Sequence, residues 1–139
     1  FQFHYLLPEF TALKNIMIPA MKLGSYSYEE IEHRAYEKLK LLGVEEQALK
    51  PASKLSGGQQ QRIAIARALI NDPKIIMCDE PTGNLDSKNT AIVLETFKQI
   101  SKEFNQTIIA VTHDADFAEA SDRTIEMADG KIISHGLKQ

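Results

Sequence analysis

Residues 55–59 read Leu-Ser-Gly-Gly-Gln, and a short apolar run that starts at Ile75 ends on two adjacent carboxylates, Asp79 and Glu80. Each half restricts the local structure. Ser56-Gly57-Gly58-Gln59 is an S-x-x-Q capping box, so Ser56 reads as the N-cap of a helix running to about Ile70 and ended by Asn71-Asp72-Pro73. A helix start presents unpaired N–H groups and a partial positive charge. Two glycines let an anion approach closely, and Ser56 adds a hydroxyl donor, so 56–59 is a sensible phosphate-binding cap. Taken alone, the same residues could be a plain helix cap. The run Ile75–Cys78 reads as a strand buried on both faces. Its C-terminal end is where α/β sheets place ligands. There Asp79 could hold Mg²⁺ through water, and Glu80 could orient and deprotonate an attacking water. Two solvated charges ending a strand would be the bland alternative. The apolar run before them and Pro81-Thr82-Gly83 after them argue for a fixed turn.

The 139 residues contain no G-x-x-x-x-G-K-[ST] phosphate loop, and the chain starts at Phe1 without an initiator Met. Both facts suggest a truncated piece of a longer nucleotide-hydrolysing protein. The net charge of −3 gives no support for a nucleic-acid surface. One cysteine, Cys78, excludes an internal disulfide and reads as a small buried apolar residue. No apolar run reaches the ~18 residues of a membrane span.

The helical pattern over 11–23 is interrupted by Pro19, which predicts a kink or an early end. Ser27-Tyr28-Glu29-Glu30 opens a helix to Leu42, with Ile31, Ala35, Leu39 and Leu42 as its buried face and Gly43 at the C′ position. A short turn over 45–49 stops at Pro51. Further on, 87–103 reads as an amphipathic helix, 107–111 as a second buried strand and 115–120 as a short helix. Asp129-Gly130 joins a terminal hairpin. Strand and helix alternate in this second half, so the class is α/β with parallel strands.

His113, after Thr112 at the end of the second strand, could donate to a γ-phosphate or an attacking water. His4, His33 and His135 form no zinc spacing with Cys78. Arg62 and Arg67 read as a solvated or salt-bridged helix face. The aromatic start, Phe1, Phe3, Tyr5 and Phe10 with Leu6 and Leu7, reads as core, with a hydrophobic docking surface as the alternative.

These motifs, in this order and across essentially the whole chain, resemble the ABC-type ATPases. The resemblance implies a P-loop NTPase (RecA-like) fold, with residues 1–72 as the Q-loop and helical subdomain and 73–139 as the C-terminal part of the ATPase core. It makes 56–59 the signature motif, Asp79 and Glu80 the Walker B aspartate and catalytic glutamate, and His113 the switch histidine. Gln2 resembles the Q-loop glutamine, a Mg²⁺ and water contact, and Asp86 the interface aspartate of the D-loop. Phe3–Leu13 and Asp79–Asp86 look like the lipoprotein-release, macrolide-export and cell-division branch. The implied protein binds ATP and Mg²⁺, pairs with a second ATPase subunit head to tail and drives transmembrane permease subunits from the cytoplasmic face of the membrane. The fragment alone is expected to be inactive, to bind neither ATP nor Mg²⁺ tightly and to self-associate through an exposed strand edge. Two rivals are the C-terminal lobe of a chromosome-organising or repair ATPase, and a naturally truncated, non-catalytic binding module.

Overall fold

The computed structural model describes residues 5–83 and 85–137. Three helices come first: α1 (Ala12–Leu23), α2 (Tyr28–Leu41) and, after two 3₁₀ turns, α3 (Gly57–Leu69). Then follow β1 (Ile75–Asp79), α4 (Ser87–Phe104), β2 (Thr107–Val111), α5 (Ala115–Ala120), β3 (Arg123–Ala128) and β4 (Lys131–Leu137).

Capping sets the helix ends. Thr11 Oγ1 accepts from the Lys14 N–H at the start of α1. The Ala12 and Leu13 N–H groups donate to Lys50 and Ala48 carbonyls, so donors that the helix itself leaves unpaired are satisfied by the 48–50 segment. The helix passes Pro19 and runs to Leu23, so the early end does not occur. The ring removes one helical hydrogen bond, while Met17 and Ala20 stay fully buried, and Gly24 at φ 70° closes the helix by donating to Ala20. At the end of α2, Gly43 donates to Lys40 and Val44 donates to Leu39, a Schellman closure with Gly43 at φ 61°.

The three helices pack around Ile16, Met17, Leu39, Ile63, Ala66 and Leu69, and all four residues assigned to the α2 face are buried. The same core continues through Ile76, Val93, Phe97, Ile100 and Phe117. There the Phe97 and Phe117 rings meet edge to face at 6.0 Å.

Strands β1 and β2 pair in parallel, from Ile75 opposite Thr107 to Asp79 opposite Val111. Only one face of this pair is covered: Ile76, Cys78, Ile108 and Ala110 face the core, whereas Met77 is 75% exposed and Ile75, Ile109 and Val111 are also exposed. The expectation of two strands buried on both faces is therefore corrected. A continuous apolar run is needed where both faces are covered, and here the second cover is missing among the described residues. The hairpin β3–β4 forms its own two-stranded sheet, with Asp129 and Gly130 both at positive φ in the turn.

Two further expectations are corrected. Tyr5, Leu7 and Phe10 are exposed and not core, whereas Leu6 is half-buried against it; Phe1 and Phe3 lie outside the described residues. This segment is held by its backbone. Asn15, fully buried, donates through Nδ2 to the Leu7, Phe10 and Thr11 carbonyls and accepts from the Leu7 N–H at 2.7 Å. Nor are Arg62 and Arg67 a solvated face, since both are half-buried. Arg62 donates to the Gly58 and Leu42 carbonyls and Arg67 to the Tyr5 carbonyl, so both guanidiniums tie loops to α3.

Candidate functional site

Glu80 follows β1 directly and adopts φ 48°, a left-handed conformation that a side-chain-bearing residue takes only when its surroundings impose it. Its N–H donates to the Val111 carbonyl at 2.8 Å, extending the strand pairing by one residue. Its carbonyl accepts from the Gly83 N–H at 3.0 Å, closing a tight turn. A Cβ on Gly83 would lie 3.2 Å from that carbonyl oxygen, so the turn is compact enough to disfavour a larger residue.

The turn delivers the Glu80 side chain to the end of β2. Oε1 lies 2.7 Å from His113 Nδ1, and Oε2 accepts from Thr112 Oγ1 at 3.2 Å. Thr112 Oγ1 also accepts from the Asp114 N–H, which fixes the hydroxyl proton toward Glu80. The His113 hydrogen bond, with help from Thr112, holds the Glu80 carboxyl below its ordinary value. In return, the Glu80 hydrogen bond and charge raise the imidazole pKa. The pair lies near solvent: the His113 side chain is 88% exposed and that of Glu80 21%. Asp79, the last residue of β1, is exposed beside this pair.

Two buried polar side chains brace the turn, and both escaped sequence reasoning. Thr82 donates to Asp114 Oδ2 at 2.9 Å, while Asp114 caps α5 by accepting from the Asp116 and Phe117 N–H groups. Gln61 donates from α3 to the Pro81 carbonyl at 2.7 Å. The signal for Gln61 was its place on the helix, one turn after Gly58. Thr82 carried no signal beyond its place beside the carboxylates. Cys78, partly buried, donates weakly to the Ile109 carbonyl, and burial pushes its thiol up to about 11.

The start of α3 has the full reciprocal cap: Ser56 Oγ accepts from the Gln59 N–H, and Gln59 Oε1 accepts from the Ser56 N–H. Ser56 and Gly57 are exposed and Gly58 is buried. Asp86 N-caps α4, its Oδ1 accepting from both the Asn89 N–H and Asn89 Nδ2. Thus the structure joins Glu80 with His113, and Asp86 with the first turn of α4. Among the described residues no hydrogen bond links 56–59 directly to Glu80 or His113. Gln2 lies outside the described residues.

The family profile of the ABC transporter matches residues 1–83. A relative with 50% identity over 133 residues is the lipoprotein-releasing system ATP-binding protein LolD of Bacteroides fragilis strain YCH46; the match covers 96% of this chain and 61% of that protein. Among solved structures, the dimeric structure of MJ0796, a bacterial ABC transporter cassette, superposes with a TM-score of 0.86 at 41% identity, covering 99% of this chain and 60% of that one. A dimeric post-hydrolysis state of the same cassette, bound to ADP and Pi, gives 0.85 at 41% identity, again over 99% of this chain and 60% of that chain. The chain therefore spans about 60% of the length of these proteins.

Proposed function

The chain belongs to the ABC transporter family, and from that premise we propose that it is part of an ATP-binding subunit that powers a membrane partner of the lipoprotein-release type. Residues 1–72 would form the Q-loop and helical subdomain, and 73–139 the C-terminal part of the ATPase core, a P-loop NTPase fold. The observation that carries the reading is the joint of Glu80, Thr112 and His113 at the ends of two parallel strands, in a chain that also carries a capped glycine helix start.

In this reading Glu80 orients and deprotonates the attacking water, while His113 contacts the γ-phosphate. The resting pair restrains that chemistry, because a carboxylate held below its ordinary pKa is a weaker base. An anionic phosphate that drew the imidazole away would return basicity to Glu80. Thr112 then keeps the carboxylate aimed. The exposed oxygen donors of Asp79 fit Mg²⁺, which prefers such ligands and would neutralise charge on the phosphates. Gln2 is assigned a contact to the same ion and water. Ser56, Gly57, Gly58 and Gln59 would meet the γ-phosphate of a nucleotide held by a second subunit, with Asp86 at that interface.

The dimeric cassette and its ADP- and Pi-bound state support this assignment, and the relative named as the ATP-binding protein of a lipoprotein-releasing system supports the lipoprotein-release type; on this reading the subunit lies on the cytoplasmic face of the membrane, against transmembrane permease subunits. No helix among the described residues is long and apolar enough to cross a membrane. The phosphate loop pattern is absent from the 139 residues, so the main phosphate contacts of the site would come from sequence outside them.

The test is sizing of a hydrolysis-blocked, full-length protein with and without ATP. Ser56→Arg or Gly57→Asp, by obstructing or repelling the phosphate, should abolish an ATP-dependent dimer. A dimer unchanged by both would make 56–59 a helix cap and nothing more.

A further inference from the structure

The His113 ring is exposed, so packing does not hold it; the chain on either side of it is held instead. Before it, the Val111 carbonyl accepts from the Glu80 N–H at 2.8 Å, and Thr112 Oγ1 donates to Glu80 Oε2 at 3.2 Å. After it, Asp114 Oδ2 accepts from Thr82 Oγ1 at 2.9 Å. The Asp114 N–H in turn donates to Thr112 Oγ1 at 3.0 Å. These bonds close a circuit from Glu80 to Thr112, to Asp114, to Thr82, and back to Glu80 through the backbone of the turn. Thr82 is buried. The second carboxylate oxygen of Asp114 accepts from the Asp116 and Phe117 N–H groups at the start of α5, which fixes the plane of the group and aims Oδ2 at Thr82. The Thr82 hydrogen bond, helped by those two N–H groups, holds the Asp114 carboxyl below its ordinary value, so the acceptor is charged at neutral pH.

We propose that Thr82 and Asp114 are positioning residues: their hydrogen bond latches the backbone that carries His113 to the Glu80 turn, so that the imidazole can leave Glu80 for a phosphate without the two residues drifting apart. The inference rests on the reading above, in which His113 turns from Glu80 to the γ-phosphate. In that exchange the 2.7 Å contact between Glu80 and His113 is lost. The paired strands cannot replace it, because their register ends at Asp79 opposite Val111 and the ladder reaches only one residue further, to the Glu80 N–H. Beyond that point side chains fasten the turn to the loop. The bond from Thr112 to Glu80 is one of them, at 3.2 Å. The bond from Thr82 to Asp114 is shorter, charge-assisted and made by a buried donor, so it is the firmer of the two. Removing the Thr82 hydroxyl leaves the side chains of Glu80, Thr112 and His113 chemically unaltered, which separates positioning from chemistry.

The experiment compares Thr82→Val, which keeps the shape and removes the hydroxyl, with Thr82→Ser, which keeps the hydroxyl, in the full-length protein. Thr82→Ala replaces the first if that protein does not fold. Turnover and ATP affinity are measured, together with NMR relaxation dispersion of the backbone amides without nucleotide. Thr82→Val should lower kcat about tenfold or more while ATP affinity stays within about threefold, and Thr82→Ser should keep kcat within about threefold of the unchanged protein. Thr82→Val should also introduce microsecond-to-millisecond exchange at residues 80–83 and 112–114 and leave α2 quiet, whereas Thr82→Ser should not. A Thr82→Val protein with unchanged kcat, or a Thr82→Ser protein as slow as Thr82→Val, would overturn the proposal. If Glu80→Gln leaves turnover unchanged, the functional reading fails, and the dispersion still decides the latch: exchange confined to the two segments supports it, and its absence there overturns it.

Discussion

Glu80 Oε1 lies 2.7 Å from His113 Nδ1, bridging the ends of two parallel strands whose preceding residues are paired in register. The left-handed backbone of Glu80 makes this reach possible, since an extended residue there would continue the strand. The pair has a defined pH window. The lowered Glu80 value makes its contribution present above 4.5 and lost as pH falls through the folded value. The raised His113 value makes its contribution complete below 6.5 and lost as pH rises through the folded value. Stability from the pair is thus greatest between these limits. Glu80→Gln should return the His113 titration toward 6.5, followed by its imidazole proton resonances in the 139-residue chain. An unchanged titration would mean that the two side chains do not meet in solution.

A second prediction concerns Asn15. It is fully buried and holds three carbonyls and one N–H of residues 7–11. Asn15→Ala leaves the Leu7 N–H without its partner, while the Leu7, Phe10 and Thr11 carbonyls keep the Phe10, Ala52 and residue-15 N–H groups, at a cost of about 1–3 kcal/mol. Urea unfolding checks this. A loss below about 0.5 kcal/mol would show that water replaces the side chain without penalty.

The exposed face and the unpaired outer edge of the β1–β2 pair predict self-association. Ile75, Met77, Ile109 and Val111 present apolar surface beside a strand whose outer backbone groups pair with no other strand among the described residues. Light scattering of the chain over a range of concentrations should show mass rising with concentration, independent of nucleotide. Ile109→Lys should reduce it. A strict monomer at high concentration would contradict the exposed-edge argument, and a nucleotide-dependent dimer would point to the 56–59 face instead.

The chain by itself should not bind Mg-ATP with micromolar affinity, because no phosphate loop with its lysine is present. Calorimetric titration checks this. Micromolar binding would mean that Asp79 and the 56–59 turn suffice.

Much of the architecture was legible because it rests on local signals. Ser56 with Gln59, Ser27 with Glu30, Gly43 and Asp129-Gly130 each set an element end by chemistry confined to a few residues. The pairing of Glu80 with His113 was legible only as two candidates at the ends of two strands. Their contact depends on the parallel register and on the backbone of Glu80, neither of which a local pattern encodes. The reach of Gln61 to Pro81, the clasp of Asn89 on Asp86, and the hydrogen bonds of Asn15 were illegible for the same reason: polar residues look alike in sequence whether they face solvent or a buried carbonyl. The apolar runs at 75–78 and 107–111 misled in the other direction. They record surfaces suited to burial, and one of those surfaces is uncovered here.

The most direct measurement of the central claim is the steady-state ATP hydrolysis rate of the full-length protein carrying Glu80→Gln, with nucleotide affinity measured alongside. The substitution keeps the shape of the side chain and removes its basicity. Loss of a positioned general base predicts a fall of about 10²-fold or more in turnover with ATP affinity retained. Turnover within about twofold of the unchanged protein would contradict the assignment of Glu80, and with it the reading of the Glu80–His113 joint as the centre of the reaction.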